Sequence, residues 1–129
     1  MPAPTVYTYS AAALINAQTA FLNLIDAGGT AGSIKLRDES DVLLAEIPLT
    51  LPCGTVDGAG QLSITASGPD SSADAGGLCT YGELCSSAGT VHLSVPAEEG
   101  AAPVSGKLVI TNTTIVAGSE VSLVSCTIG

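Results

Sequence analysis

One histidine, His92, and four cysteines, Cys53, Cys79, Cys85 and Cys126, are the residues of this sequence best suited to nucleophilic or metal chemistry. A Ser-His-Asp or Cys-His arrangement would have to run through His92 alone, and multi-histidine metal sites are excluded. His92 stands in the alternating run Val91-His92-Leu93-Ser94-Val95, which places Val91, Leu93 and Val95 on one face of a strand and His92 with Ser94 on the other. That position reads as a partly exposed structural histidine. No two cysteines form the C-x-x-C pair of a zinc ribbon or thioredoxin-like site. They read first as small buried hydrophobes. One or two disulfides are the alternative, since the count is even and Cys79 and Cys85 fit paired strands.

Carboxylates offer two further candidates. Asp70, Ser72 and Asp74 present oxygens at alternate positions of a Gly-bounded loop, as a calcium site would, but the loop lacks the completing glutamate of an EF-hand. Asp and Ser are also what tight turns need, because their side chains accept nearby backbone N–H groups. Asp38-Glu39-Ser40-Asp41 reads in the same way, as the solvated tip of a hairpin rather than a cation site. No G-x-S-x-G, G-x-x-x-x-G-K-[ST] or G-x-G-x-x-G motif is present. The expectation is a protein that is not an enzyme and holds no metal or cofactor.

Charge narrows the partners. Lys35, Arg37 and Lys107 stand against twelve acidic residues, a formal net charge of −9, which leaves nothing to neutralise a run of phosphates or to adsorb to anionic lipid. Neither nucleic acid nor membrane is expected as a partner; a neutral or basic protein surface is. Only 12% of the residues are charged while 46% are hydrophobic. Such a composition suggests apolar surface covered by other chains, hence a homo-oligomer. No segment approaches the ~20 apolar residues needed to cross a bilayer, and Met1 to Thr5 lacks the basic stretch of a secretory signal. The chain reads as soluble and made in a cytoplasm.

The elements that position these residues follow from period and punctuation. Residues 1–9, with two prolines and no clear period, read as an extended arm whose Pro2, Pro4, Val6, Tyr7 and Tyr9 are candidates to touch a partner. Ser10 before Ala11-Ala12-Ala13 is a helix start, and Leu14, Ala17, Phe21, Leu24 and Ile25 recur on one face until Gly28-Gly29, so the spacing predicts an amphipathic helix over 11–26. Strict alternation then begins at Ser33-Ile34-Lys35-Leu36-Arg37, and an extended pattern resumes from Val42 to Leu49. Further strands are predicted over 61–66, 78–84, 90–95, 107–112 and 120–128, with 96–103 as a longer loop. About seven short strands and one N-terminal helix make residues 10–129 a single mainly-β domain, an antiparallel β-sandwich or barrel-like fold.

Four segments, in order through most of the chain, resemble a group of small structural proteins of tailed bacteriophages and prophages. They are Leu22 to Gly29 with the strand Gly32 to Arg37, then Leu43 to Ile47, Asp70 to Ala75, and Asn112 to Gly118. Thr80 to Leu93, with its two cysteines, departs from the pattern. The resemblance implies a virion component on the head surface, a capsid cement or decoration protein that binds the major capsid protein or other virion proteins and carries no catalytic residues. A minor tail, tail-tube or fibre-associated protein is the alternative, and a secreted adhesive β-domain a further one.

Overall fold

Ser10 starts a helix as its place before three alanines suggests: its Oγ accepts the N–H of Ala13 at 3.1 Å, at the head of α1 (Ala11–Ile25). The computed structural model describes residues 10–128, so the expected arm with Pro2, Pro4, Val6, Tyr7 and Tyr9 lies outside the described residues. At the far end of α1, Gly28 and Gly29 take φ of 83° and 71°, a left-handed turn that glycine adopts without strain. The buried face of the helix matches the expected one in part, at Leu14, Phe21 and Ile25. Leu22 and Ile25 are buried and Leu14, Ile15, Gln18 and Phe21 half-buried, whereas Ala17 and Leu24 face solvent. The helix is apolar almost all round, so two stripes compete. The stripe through Ile15, Leu22 and Ile25 offers more volume to the core than the one through Ala17 and Leu24.

Nine strands follow: β1 (Ser33–Arg37), β2 (Leu43–Val56), β3 (Leu62–Ala66), β4 (Gly77–Leu78), β5 (Tyr81–Cys85), β6 (Val91–Glu99), β7 (Leu108–Ile110), β8 (Thr114–Ile115) and β9 (Leu123–Ile128). Seven of them close a barrel in the order β1-β2-β3-β9-β7-β6-β5, and β4 pairs with β8 as a separate two-stranded ribbon. The fold is therefore a mainly-β barrel with one helix. Its pairings are antiparallel except that of β6 with β7, which is parallel. That pairing makes residues 100–107 run back along β6, held where the Gly106 N–H reaches the Thr127 carbonyl at 2.8 Å.

Several strand limits differ from expectation because strands here change partner along their length. β2 continues past Leu49 through Pro52 because its register with β3 is broken between Leu49 and Gly54, so the proline interrupts no ladder there. β6 continues through Pro96, the last residue paired with β5 before the strand turns to β7. Conversely, the strand expected over 78–84 is divided between β4 and β5. Between them the Cys79 N–H donates to Thr113 and the Thr80 N–H to Arg37.

Three hairpins share one turn. In Asp38–Val42, Asp57–Gln61 and Ser86–Thr90 the first N–H donates to the fifth carbonyl and the fourth N–H to the first carbonyl. The fourth residue is left-handed each time, Asp41 at φ 65° and Gly60 and Gly89 at 85°. Asp38 and Asp57 reinforce theirs, each carboxylate accepting two backbone N–H groups at 2.8 to 2.9 Å.

Inside the barrel, Ile34, Leu36, Ala45, Ile47, Leu84, Leu108 and Ile110 are fully buried. An interior lined by side chains of this size is filled by them rather than hollow. Gly82 makes the room: a methyl group there would lie 2.6 Å from Leu108 Cδ1 and 3.2 Å from Ile34 Cγ2.

Candidate functional site

Each candidate of the sequence reading has a definite place. His92 is the extra residue of a bulge, since Leu84 pairs with Leu93 and Cys85 with Val91. The bulge shifts the alternation by one, which is why Val91 is exposed rather than inside with Leu93 and Val95, while His92 is partly exposed as expected. All four cysteines are buried and unpaired. Cys79 precedes β5 and Cys85 ends it, so the two lie on one run of chain and do not face each other across strands. Burial, aided by the Asp26 carboxylate, pushes the Cys53 thiol up to about 12; burial alone takes Cys126 to about 12, and Cys79 is raised to about 11 by burial. The thiolate is the nucleophile, so thiols held this way are unreactive in the folded state.

The acidic candidates are used by the backbone. Past Ala66 the chain stays in the barrel wall without regular pairing, wedged between β2 and the segment that leads into β9. Asp70 exchanges both backbone hydrogen bonds with Val121, at 2.8 and 2.9 Å, while Asp74 N–H donates to Leu44. The Asp70 carboxylate takes the Ser72 N–H on one oxygen and the Glu46 N–H on the other, at 3.0 and 2.9 Å. It supplies to the edge of β2 the acceptor that a neighbouring strand's carbonyl would have given. Asp26 does the same for the Cys53 N–H, tying the end of α1 to β2. Among the described residues no group of three or more His, Cys, Asp or Glu is placed to hold a metal ion.

The outer face of β1 concentrates the basic side chains. Lys35 stands in register between Glu46 of β2 and Glu83 of β5, and Ser33 donates to Glu46 at 2.8 Å. Arg37 pairs with Glu83 through Nε, which raises its pKa further, and donates through Nη1 to the Asp41 carbonyl. The Tyr81 hydroxyl donates to the Asp41 carboxylate, which pushes the phenol up to about 12. Beside this row Ser33, Lys35, Glu46, Ser86 and Gly89 help to line an open depression of about 450 Å³. Its cation, Lys35, stands in register between carboxylates on both sides, and His92 is not among the lining residues.

The β4–β8 ribbon has the opposite character. Gly77 pairs with Ile115 and Leu78 with Thr114, so Ile115 points inward and is buried, while Leu78 and Thr114 share the outward face and Val116, just past the end of β8, is exposed. The ribbon is braced below by bonds from Ala73 to Ser119, Gly118 to Ala73 and Cys79 to Thr113, each 2.8 Å. The sequence reading missed this surface. Each strand is two residues long, too short to show a period, and what signal there is lies in Asn112, whose Oδ1 accepts the Thr114 N–H and opens the second strand.

No described helix is long and apolar enough to cross a membrane. No protein-family model, no curated protein and no solved structure matches this chain.

Proposed function

We propose that this chain is a non-enzymatic structural protein of a tailed-phage virion, a cement or decoration protein that binds the head shell through the major capsid protein. The observation that carries the reading is the division of the surface. Arg37, Ser33 and Asp70 are engaged by partners within the chain, whereas the two most exposed large apolar side chains, Leu78 and Val116, stand on and beside a braced ribbon. A surface so divided suits lasting attachment to another protein better than turnover of a small substrate. The four segments that resemble small virion proteins support the same reading, and the four unpaired thiols suit a chain made and kept in a reducing cytoplasm. Residues 1–9, with Pro2, Pro4, Val6, Tyr7 and Tyr9, would add a second, extended contact.

The test is fractionation of particles from the producing phage into heads and tails, with the chain quantified by mass spectrometry in each. Recovery with heads, in regular ratio to the major capsid protein, is the expected result. Recovery with tails alone would move the chain to a tail or fibre-associated role, and absence from both fractions would refute a virion role.

A further inference from the structure

The two most exposed large apolar side chains among the described residues, Val116 at 63% and Leu78 at 58%, belong to the residue just past the end of β8 and to β4. A ribbon braced from below presents them on a fixed backbone, so little ordering entropy is lost when a partner covers them. The rim of this face is acidic. Glu120 lines the same groove of about 260 Å³ as Val116, and Glu99 Oε1 accepts the N–H of Thr113, the residue before β8, at 3.2 Å. No Lys or Arg belongs to the ribbon: Lys35 and Arg37 are on β1, where Arg37 is taken by Glu83, and Lys107 precedes β7.

Charge decides between the possible occupants. A second copy would bring the same carboxylates and the same −9 to the contact, and like charges placed face to face oppose association. A protein surface with Lys or Arg around an apolar centre gains on both counts. We infer that the outward face of the β4–β8 ribbon is a docking surface for a basic protein surface, with Leu78 and Val116 filling its apolar centre and Glu99 and Glu120 meeting its cations. Only the identity of the partner, a capsid protein, rests on the virion reading.

The experiment is an NMR titration of the full chain with a short peptide of alternating lysine and leucine. Amide shifts are expected to concentrate in residues 76–78 and 113–120. The Leu78→Ser/Val116→Ser double variant should bind roughly ten-fold more weakly, as loss of a small apolar centre implies. Glu120→Lys should weaken binding and flatten its salt dependence. Circular dichroism and protection of the four thiols show that the variants are folded. Shifts spread over the whole acidic surface, or a double variant that binds as the parent does, would overturn the inference. So would a dimer in sedimentation that the double variant dissolves, since a second copy would then occupy the face. Heads lacking this chain that take up neither parent nor variant would count against the virion reading alone, while the peptide titration still decides the ribbon.

Discussion

β1 and the β4–β8 ribbon are both short and both antiparallel, yet they are opposites in what they leave unsatisfied. β1 is paired along its whole length on both edges, by β2 and by β5, with Ile34 and Leu36 inside and Ser33, Lys35 and Arg37 outside among Glu46 and Glu83. Its backbone and its charges are both matched within the chain. The ribbon strands pair only with each other, bury Ile115, and leave Leu78, with Val116 just past β8, exposed to solvent. Closing a barrel removes the edges at which another chain could add a strand. On the barrel wall what remains for a partner is side-chain surface, and the most exposed large apolar side chains, Val116 and Leu78, are at the ribbon.

One expected effect separates folded from unfolded rather than wall from ribbon. Cys126 in the wall and Cys79 at the root of the ribbon ionise at about 12 and about 11 when folded, against an ordinary 9.0. Because the folded pKa is raised, the thiol contribution to stability is fully present below pH 9 and is lost as pH rises from there through 11 and 12. At pH 10.5 the loss is on the order of 2 kcal/mol for Cys126. Urea midpoints at pH 8 and 10.5 measure it, and Cys126→Ala should show a shallower alkaline decline than the parent. Equal declines would mean that the thiol is already accessible in the folded state.

Truncation sharpens the contrast directly. Ile47→Ala, inside the barrel opposite Ile34, should lower stability by about 2 to 5 kcal/mol, while Leu78→Ala on the ribbon should change it by less than about 0.5 kcal/mol. Similar losses at the two sites would dissolve the distinction between wall and ribbon. Crowding the interior works from the other side: Gly82→Val should cost about 1 to 3 kcal/mol by pressing on Leu108, and adding Leu108→Ala should recover part of that loss. A smaller effect, about 1 kcal/mol, is expected of Asp70→Ala, which removes the acceptor of the Glu46 N–H. Its sharper mark is faster hydrogen exchange at the Glu46 amide with β1 unchanged.

The difference between the two regions also governs what could be read from sequence. Ser33-Ile34-Lys35-Leu36-Arg37 announces β1 because one face is inside and the other outside, which is what strict alternation means. The hairpin turn at Asp38 to Asp41 is legible in the same way, from its run of turn-forming Asp and Ser. The interior of the barrel and its single helix follow from those patterns. The ribbon does not: its strands are two residues each, and its bracing comes from Asp70, Ala73 and Ser119, whose partners are distant in sequence. Ala17 and Leu24 were misplaced on the helix because apolar residues extend well round α1, so that packing chose the stripe through Leu22 and Ile25. Val91 was misplaced because a one-residue bulge at His92 reverses every inward and outward assignment beyond it.

Cryo-electron microscopy of intact particles from the producing phage is the most direct test of the central claim. The account expects density for this chain at regular positions on the head shell, with the β4–β8 ribbon turned toward a basic surface of the capsid protein. Particles in which the chain is absent, or is found only along the tail, would contradict it.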